Sequence, residues 1–340
     1  MNYVNLGTTD LIISEVGFGC IPIIRLSKDA AVQVLRHAFE RGITYFDTAN
    51  AYRDSEEKLG LAFAGRRDQV VLATKTLMRG AEGATSHLDN SLRMMRTEYL
   101  DLYQLHQIAQ EKDWLEVTGP AGALEAIMKA KASGKVRHVG VTSHNLQMAL
   151  KLVRSGLFDT IQFPFNLIEE AAKDELLTAT RDQGMGFIVM KPFGGGVIDN
   201  AAVAFKYLRN YPEVIPIPGF ESCAQVDEVI ACYAEANVIT GQDLEIMATY
   251  RDALGKRFCR RCEYCQPCPQ GVMITPAMGY PIVAARMSPS VAVEFCKTSI
   301  ESVLNCTNCG ACLDRCPYEL PIPEMLQANY ALYLKHRKEQ

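Results

Sequence analysis

Eight of the twelve cysteines in this 340-residue chain lie in its last quarter, in two quartets that each end in Cys-Pro. The first quartet has two residues between successive cysteines, and the second follows the pattern C-x2-C-x2-C-x3-C-P. The first comprises Cys259, Cys262, Cys265 and Cys268, and the second comprises Cys306, Cys309, Cys312 and Cys316. Two-residue spacing lets consecutive thiolates face one bound centre, so these quartets limit what the C-terminal region can become.

Two [4Fe–4S] clusters are the centres that this spacing predicts. The second quartet has the cysteine run of bacterial ferredoxins, and the first differs from it by one missing residue. Structural zinc is the alternative, since zinc sites also use C-x2-C pairs, but they usually join two such pairs across a spacer. A disulfide framework is disfavoured, because residues 1–7 lack the basic and apolar parts of a signal peptide. The other cysteines are isolated, which predicts small buried residues at Cys20, Cys223, Cys232 and Cys296.

The composition limits the number of domains and the class of protein that the chain can form. With 48% hydrophobic residues, the chain can form one large core with an appendage, or two ordinary domains. A net charge of −4 argues against a general role at nucleic acids or membrane surfaces. No apolar stretch approaches the roughly 20 residues that span a bilayer. We therefore expect a soluble cytoplasmic protein.

Between residues 16 and 236, short apolar runs alternate with longer amphipathic segments. Eight runs read as buried parallel strands, at residues 16–19, 44–46, 70–73, 100–103, 139–141, 160–163, 186–189 and 214–217. Helical stretches lie between them, and several end in glycine, as at Gly42, Gly134 and Gly184. Eight β–α units in this length predict a (β/α)8 TIM barrel. A doubly wound sheet is the alternative, but no G-x-G-x-x-G follows the first strand.

The remaining segments suggest how the chain is divided. Residues 3–15 read as a hairpin that closes the bottom of the barrel. Residues 242–256 read as a linking helix, and residues 276–304 and 323–340 carry further helical patterns. We therefore expect a barrel over residues 1–240 and a mainly helical, ferredoxin-like iron–sulfur domain over residues 241–340.

Polar residues occur at the carboxyl ends of three predicted strands, where barrel enzymes place their catalytic groups. Asp47 and Tyr52 follow the second strand, Lys75 ends the third, and His106 ends the fourth. The strings at residues 45–49, 73–75 and 105–106 resemble the tetrad motifs of the aldo-keto reductases. Residues 130–141 resemble the same family's helix-to-strand signature, and some members carry a ferredoxin-like C-terminal extension.

The resemblance implies a role for each tetrad residue. Tyr52 would protonate the carbonyl oxygen as hydride reaches the carbon. A free tyrosine has a pKa near 10, and a neighbouring cation such as Lys75 lowers it by favouring the phenolate. Asp47 would hold Lys75, and His106 would orient the carbonyl by hydrogen bonding. The sequence taken alone also allows a plain ion pair and a packing tyrosine.

The resemblance also implies residues that contact NAD(H) or NADP(H). Hydroxyl and amide partners for the nicotinamide carboxamide would follow the fifth and sixth strands, and a glycine-rich loop after the seventh strand allows backbone approach to a pyrophosphate. These positions correspond to Thr142, Ser143, Gln162, Lys191, Gly194, Gly195, Gly219 and, toward the adenine, Glu228. Met190 falls where many members have an aromatic that stacks on nicotinamide.

Selection between the two nicotinamide cofactors is left open. Many family members grip the 2′-phosphate of NADP with cations after the eighth strand. This chain has Glu221 and no cation in that stretch, so NADPH preference is not supported and NADH is equally open. The loop at residues 107–119 holds the only tryptophan, Trp114, either as a substrate wall or as packing of the loop.

The two halves handle electrons differently. Nicotinamide passes two electrons as hydride, while a [4Fe–4S] cluster accepts one, so direct exchange between them needs a converter such as a flavin. The sequence contains no convincing flavin motif. The clusters are therefore either structural or exchange electrons with a redox partner protein or a bound flavin. The leading interpretation is an oxidoreductase acting on a small carbonyl or alcohol. The alternative is an electron-transfer or complex subunit whose barrel is a docking module or binds a ligand without hydride transfer. By analogy with ferredoxins, Cys316 would join the first three cysteines and Cys268 would join the second group.

Overall fold

The computed structural model of the chain describes residues 1–339, apart from the side chains of Arg286 and Met287. The chain forms two compact units, one from Met1 to Leu244 and one from Glu245 onwards. The first unit contains a parallel sheet, and the second is helical. Among the described residues, no helix combines the length and the apolar character needed to cross a membrane.

Eight parallel strands form the sheet of the first unit, and they are paired in chain order. They are β3 (Phe18–Gly19), β4 (Tyr45–Asp47), β5 (Val71–Thr76), β6 (Leu100–Leu105), β7 (Val136–Thr142), β8 (Thr160–Pro164), β9 (Gly186–Met190) and β10 (Val214–Pro216). A parallel bridge between Gly19 and Gly219 joins the first strand to the segment after the last one. The predicted (β/α)8 barrel is confirmed, and each of the eight apolar runs overlaps one of its strands.

The closure of the barrel depends on two glycines. A Cβ atom on Gly19 would lie 2.7 Å from the carbonyl oxygen of Ile217, and one on Gly219 would lie 2.4 Å from Pro22 Cγ. Both distances are shorter than van der Waals contact, so a side chain at either position would push the first and last strands apart.

Helices follow the strands and cover the outside of the sheet. They are α1 (Lys28–Glu40), α2 (Ser55–Ala62), α3 (Ala81–Met94), α4 (Glu111–Thr118), α5 (Ala123–Ala132), α6 (Leu146–Arg154), α7 (Glu175–Asp182), α8 (Ala201–Leu208) and α9 (Cys223–Ala234). The next helix along the chain is α10 (Gly241–Leu254), which begins in the first unit and continues in the second. Ser27 caps α1 by accepting a hydrogen bond from the Ala30 amide. The predicted terminating glycines Gly42, Gly134 and Gly184 all have left-handed backbones, with φ of 98°, 80° and 63°.

A hairpin covers the end of the barrel where the strands begin. It consists of β1 (Tyr3–Asn5) and β2 (Ile12–Ser14), which pair antiparallel. Leu6 and Leu11 from the hairpin are buried in one cluster with Ala73, Leu102 and Ile188 from the strands. The hairpin therefore closes the bottom of the apolar barrel core, as predicted.

A charged network ties the hairpin turn to β7. His138 Nε2 lies 2.6 Å from Asp10 Oδ1, and His138 Nδ1 lies 3.6 Å from Asp159 Oδ2. Hydrogen bonding to Asp159 and then to Asp10 raises the pKa of His138 against the opposing effect of burial. The same contacts lower the pKa values of both aspartates. This network therefore makes the stability of the barrel depend on pH.

We expect His138→Phe to remove that dependence. Protonated His138 stabilises the fold below its unfolded pKa of about 6.5, and this contribution is lost as the pH rises through the higher folded value. The aspartates stabilise the fold above about pH 4 and lose that contribution as the pH falls. Because Asp10 is largely exposed, the variant should lose about 0.5–1 kcal/mol at pH 5.5 and much less at pH 9.

Urea unfolding followed by the fluorescence of Trp114, the only tryptophan, would measure this difference in the barrel. Asp10→Asn is the matched variant, because it removes one carboxylate and keeps the imidazole. An equal loss of unfolding free energy at both pH values in His138→Phe would show that the histidine contributes packing and no charge.

The second unit has its own helical core. Its helices are α11 (Ile274–Met278), α12 (Tyr280–Met287), α13 (Pro289–Glu301), α14 (Ala311–Asp314) and α15 (Ile322–Lys338). The core includes Tyr280, Ile300, Leu326 and Tyr333, together with the isolated Cys296. Cys259, Cys268, Cys306, Cys312 and Cys316 pack against this core, and Cys265 belongs to it. The cysteine segments are thus held by a helical scaffold of their own unit.

Candidate active site and cysteine groups

The four predicted tetrad residues lie together at the carboxyl ends of neighbouring strands. Asp47 ends β4, Lys75 lies near the end of β5, and His106 directly follows β6. Tyr52 lies in the loop between β4 and α2. Since parallel strands end at the same edge of a barrel, chain order alone brings these side chains to one mouth.

Lys75 and Asp47 form an ion pair in the barrel interior. The Lys75 ammonium donates to Asp47 Oδ1 and, at 2.6 Å, to the carbonyl oxygen of Thr48. The two side chains are only 1% and 3% exposed, so neither is solvated by bulk water. Burial lowers the pKa of Lys75, but Asp47 outweighs burial and the net pKa is raised. Lys75 therefore carries a fixed positive charge at neutral pH.

Two amides complete the surroundings of Asp47. Gln104 Nε2 and Gln162 Nε2 donate to Asp47 Oδ2 at 2.9 and 3.1 Å. The sequence interpretation missed Gln104, although its position was readable, since it lies in β6 opposite Lys75 of β5. Gln162 gives one of the two hydrogens of its amide nitrogen to Asp47, and its contact with a cofactor stays a prediction. These donors hold the carboxylate in the orientation that Lys75 requires.

Tyr52 stands over the ion pair. Lys75 Nζ lies 5.5 Å from the centroid of the Tyr52 ring, and the ring meets that of His106 edge-on at 5.9 Å. Burial raises the pKa of Tyr52, and the positive charge of Lys75 opposes that rise without cancelling it. The expected lowering by Lys75 is therefore present but smaller than the effect of burial. Tyr52 is a protonated donor at neutral pH in this structure.

His106 is a neutral imidazole. Burial lowers its pKa to about 3, and the charges of Lys75 and Arg79 contribute further. Within the part of the chain that the structure describes, His106 Nδ1 has no hydrogen-bond partner. The backbone is held by Arg79 Nη1, which donates to the His106 carbonyl oxygen at 2.9 Å. A neutral imidazole held in this way can donate a hydrogen bond to a carbonyl oxygen without adding charge.

The predicted partners of the nicotinamide carboxamide are buried at the end of β7. Thr142 Oγ1 accepts a hydrogen bond from the amide of Gln107, which has a left-handed backbone with φ of 58°. Ser143 Oγ accepts from the Asn145 amide at 3.2 Å. Both hydroxyls thus shape the loops around His106, and their contact with a cofactor stays a prediction.

The glycine-rich loop after β9 has an unusual backbone. Lys191 has φ of 57°, and Gly194, Gly195 and Gly196 have φ of 57°, 81° and 98°. Lys191 Nζ lies 3.9 Å from the buried carboxylate of Glu169. Consecutive left-handed glycines leave backbone amides uncovered by side chains, and such a loop fits the approach of a pyrophosphate.

The surroundings of Glu221 correct one expectation. The sequence places no cation in the stretch after β10, yet the structure brings Arg25 there, and Arg25 Nε donates to Glu221 Oε1. Arg25 belongs to a short 3₁₀ helix after β3 (Pro22–Arg25), so it reaches Glu221 only because the barrel closes. Glu228, the predicted adenine contact, is exposed on α9.

Trp114 belongs to α4 in the loop region after β6. Lys151 Nζ of α6 lies 5.5 Å from the centroid of its ring, and Lys151 also pairs with Glu111 at 2.6 Å. Of the two interpretations of Trp114, these contacts support packing of the loop against α6.

The cysteines of the second unit fall into two groups that exchange their fourth members. The pKa of Cys262 is raised to about 11, chiefly by burial and in part by the neighbouring thiols of Cys259 and Cys316. Cys265 joins this group, because Cys259 and Cys262 add to the effect of burial on its pKa. Cys316 therefore lies with the first three cysteines, although it is more than fifty positions away along the chain.

Cys268 lies with the second set. Burial raises the pKa of Cys312, and Cys306, Cys268 and Cys309 add to the rise. These four cysteines line one cavity, together with Arg315 and Leu326. Within the described residues, which include all twelve cysteines, no disulfide is present. In the same residues, no three His, Cys, Asp or Glu side chains are arranged to hold a single metal ion.

Known protein families match both parts of the chain. The description "Aldo/keto reductase family" matches residues 15–203. The description "4Fe-4S dicluster domain" matches residues 258–320, a stretch that contains both cysteine groups. The chemistry of eight thiols in two groups of four fits two such clusters, since each cluster takes four cysteine ligands.

Related proteins resemble the first unit. The "Uncharacterized oxidoreductase YrpG" of Bacillus subtilis is 29% identical over 60% of this chain and 70% of its own length. "Aldo-keto reductase YhdN" of the same organism is 32% identical over 54% of this chain and 59% of its own length. The holo form of an aldo-keto reductase from Bacillus halodurans superposes with a TM-score of 0.63 at 23% identity, covering 74% of this chain and 96% of that one. At that identity the superposition shows a shared fold.

Proposed function

Because the chain belongs to the aldo/keto reductase family, we propose that it transfers hydride between a nicotinamide cofactor and a carbonyl or alcohol substrate. One observation carries this proposal. Tyr52, His106 and the buried pair of Lys75 with Asp47 converge at the mouth of the barrel. A donor, a neutral orienting group and a fixed cation are the parts that carbonyl reduction needs.

Each of these side chains has a separate task. His106 donates a hydrogen bond to the carbonyl oxygen and sets its position. Tyr52 gives its proton to that oxygen as negative charge develops there, and Lys75 stabilises the resulting phenolate. Asp47, held by Gln104 and Gln162, keeps Lys75 in place and charged. In the oxidation direction the phenolate of Tyr52 takes the proton back from the alcohol.

The proposed cofactor site follows the strand ends. When bound, the nicotinamide supplies or accepts the hydride. Ser143, Thr142 and the oxygen of Gln162 would hold its carboxamide. Gly195 would offer its backbone amide to the pyrophosphate, which bears negative charge, while the amides of Gly194 and Gly196 donate within the loop and fix its shape.

We propose NADH as the preferred form. Closure of the barrel brings Arg25 beside Glu221, and the two side chains form an ion pair. A 2′-phosphate would have to displace this carboxylate and would be repelled by it. The variant Glu221→Gln releases Arg25, so it should shift the ratio of the two affinities toward NADPH.

The iron–sulfur unit is proposed to exchange single electrons with a redox partner protein. Hydride carries two electrons, and each cluster accepts one, so the barrel and the clusters need a flavin or a similar converter to communicate. Cys259, Cys262, Cys265 and Cys316 would hold one cluster, and Cys268, Cys306, Cys309 and Cys312 would hold the other.

Titration of anaerobically purified protein with NADH and with NADPH, followed by nicotinamide fluorescence, tests the enzyme proposal. We expect one cofactor bound per chain, tighter binding of NADH, and a reversal or levelling of that preference in Glu221→Gln. No binding of either form by protein that retains about eight irons would overturn the proposal. That result would favour the alternative, in which the barrel is a docking module.

A further inference from the structure

Two arginines lie between the first two cysteines of the first group. Arg260 and Arg261 directly follow Cys259 and precede Cys262. The guanidinium of Arg260 lies 4.0 Å from the centroid of the Tyr318 ring, and its Nη1 donates to the carbonyl oxygen of Gly255 at 3.0 Å. Arg261 has a left-handed backbone with φ of 58°. Both cations therefore belong to the segment that carries the first ligands, and Arg260 is held in place by Tyr318 and Gly255.

Each of these arginines keeps one buried donor unused. Within the described residues, neither Arg260 Nε nor Arg261 Nε has a hydrogen-bond partner, although both atoms are shielded from water. A buried donor of a charged group costs free energy when it is left unpaired, so native structures usually supply an acceptor. The sulfur atoms of a cluster on the flanking cysteines are acceptors of the required charge.

A threonine hydroxyl is a third buried donor without a hydrogen-bond partner in the described chain. Thr275, at the start of α11, is 7% exposed, and its Oγ1 makes no hydrogen bond of ordinary geometry to any described residue. Its neighbours Ile274 and Ala277 pack in the same buried core as Cys265. Among the described residues, two cationic donors and one neutral donor are thus unpaired in segments that carry or adjoin the first cysteine group.

The second cysteine group has a different environment. Arg315 uses its donors elsewhere, with Nε donating to the carbonyl oxygen of Ala311 at 2.8 Å and Nη2 donating to that of Pro267 at 3.0 Å. In the described chain, no buried unpaired side-chain donor occurs among residues 303–318. Cys309 is exposed, and the residues that flank it are the uncharged Asn308 and Gly310.

We propose that Arg260, Arg261 and Thr275 donate hydrogen bonds to the cluster held by the first cysteine group and raise its reduction potential above that of the second. Reduction adds negative charge to a cluster, so nearby cations and donors favour the reduced form. Water at Cys309 and the charge of Arg315, which lines the cavity of the second group, act in the same direction on the second cluster. Arg315 uses its donors on carbonyl oxygens, however, whereas two arginines with donors unpaired in the described chain flank Cys259 and Cys262. An electron delivered to the exposed second cluster therefore moves to the first.

This inference rests on the two clusters of the proposed function and is independent of hydride transfer. Reductive titration of the full chain with dithionite, followed by electron paramagnetic resonance, would measure both midpoint potentials. Signals are assigned by comparison with Cys316→Ala and Cys268→Ala, which each remove one cluster. We expect two distinct potentials, with the first cluster the higher of the two.

The variant Arg261→Gln should lower the potential of the first cluster and leave that of the second unchanged. Arg261→Lys, which keeps the charge and loses the fork of donors, should give a smaller downward shift. Thr275→Val removes only a hydroxyl. If the arginine variants fail to incorporate iron, the potential of the first cluster in this variant tests the same proposal. Arg257→Gln is the control, because Arg257 is an exposed cation of the same segment.

Three results would overturn the inference. These are equal potentials in the unmodified protein, equal shifts of both clusters in Arg261→Gln, and a shift in Arg257→Gln as large as that in Arg261→Gln. An unmodified protein without about eight irons would instead overturn the cluster assignment itself. Failure of the inference and failure of the assignment are therefore distinguishable.

Discussion

Replacing Tyr52 with phenylalanine is expected to lower kcat for carbonyl reduction by about 10²- to 10⁴-fold, which is the range that a positioned general acid contributes. The phenyl ring keeps its edge-on contact with His106, so the shape of the mouth is preserved while the proton is removed. Because Lys75 and Asp47 still form their buried pair, we expect the affinity for NADH to change little. Steady-state kinetics with NADH titration on the same samples would separate the two quantities.

Tyr99→Phe is the matched control for this substitution. Tyr99 lies just before β6, and its ring packs under the guanidinium of Arg67 at 4.1 Å, so the ring and not the hydroxyl makes the contact. We expect its kcat to equal that of the unmodified protein. If Tyr52→Phe retained full kcat, another group would have to protonate the carbonyl oxygen, and the role proposed for Tyr52 would be wrong.

Loss of one specific cluster is expected when the fourth cysteine of either quartet is removed. Cys316→Ala should lose the cluster of Cys259, Cys262 and Cys265, because Cys316 is grouped with these thiols in space. Cys268→Ala should lose the other cluster for the same reason. Each variant should fall from about eight irons per chain to about four, and each should lose a different signal in electron paramagnetic resonance.

Cys296→Ala provides the control for these two variants. Cys296 is a buried core residue of the same unit, and it belongs to neither cysteine group. It should retain about eight irons, with at most a modest loss of stability. The exchange of ligands would be wrong if Cys316→Ala kept the cluster of the first three cysteines. Zinc in place of iron in the unmodified protein would mean that the metals of the C-terminal unit stabilise its fold and carry no electrons.

Several features of this protein follow from local sequence patterns alone. Eight apolar runs separated by amphipathic segments predict the barrel, because strand and helix periods are set by neighbouring residues. The tetrad positions follow from the same pattern, since a residue at the carboxyl end of a parallel strand must face the barrel mouth. The cysteine spacings likewise predict two four-thiol groups and the exchange of their last members, because the ligand run of such domains is local.

Other features depend on contacts between distant parts of the chain. The pairing of Arg25 with Glu221 requires the first and last strands to meet at Gly19 and Gly219, and no local pattern reveals this. Gln104 donates to Asp47 because the register between β5 and β6 places Gln104 opposite Lys75. The pKa of Tyr52 is raised because burial outweighs the nearby cation, and burial is decided only when the loop after β4 folds over the mouth.

Residue type and spacing alone therefore predict the fold class and the iron–sulfur centres. The resemblance to the aldo-keto reductases adds the nicotinamide cofactor and the four tetrad side chains as proposals. The tertiary structure decided which groups are charged, which donors are already used and which remain unpaired. Charge states and hydrogen bonds depend on distances of a few ångströms between elements far apart in the chain, where a small displacement changes both desolvation and Coulomb energy. The unused donors of Arg260 and Arg261 are of this second kind.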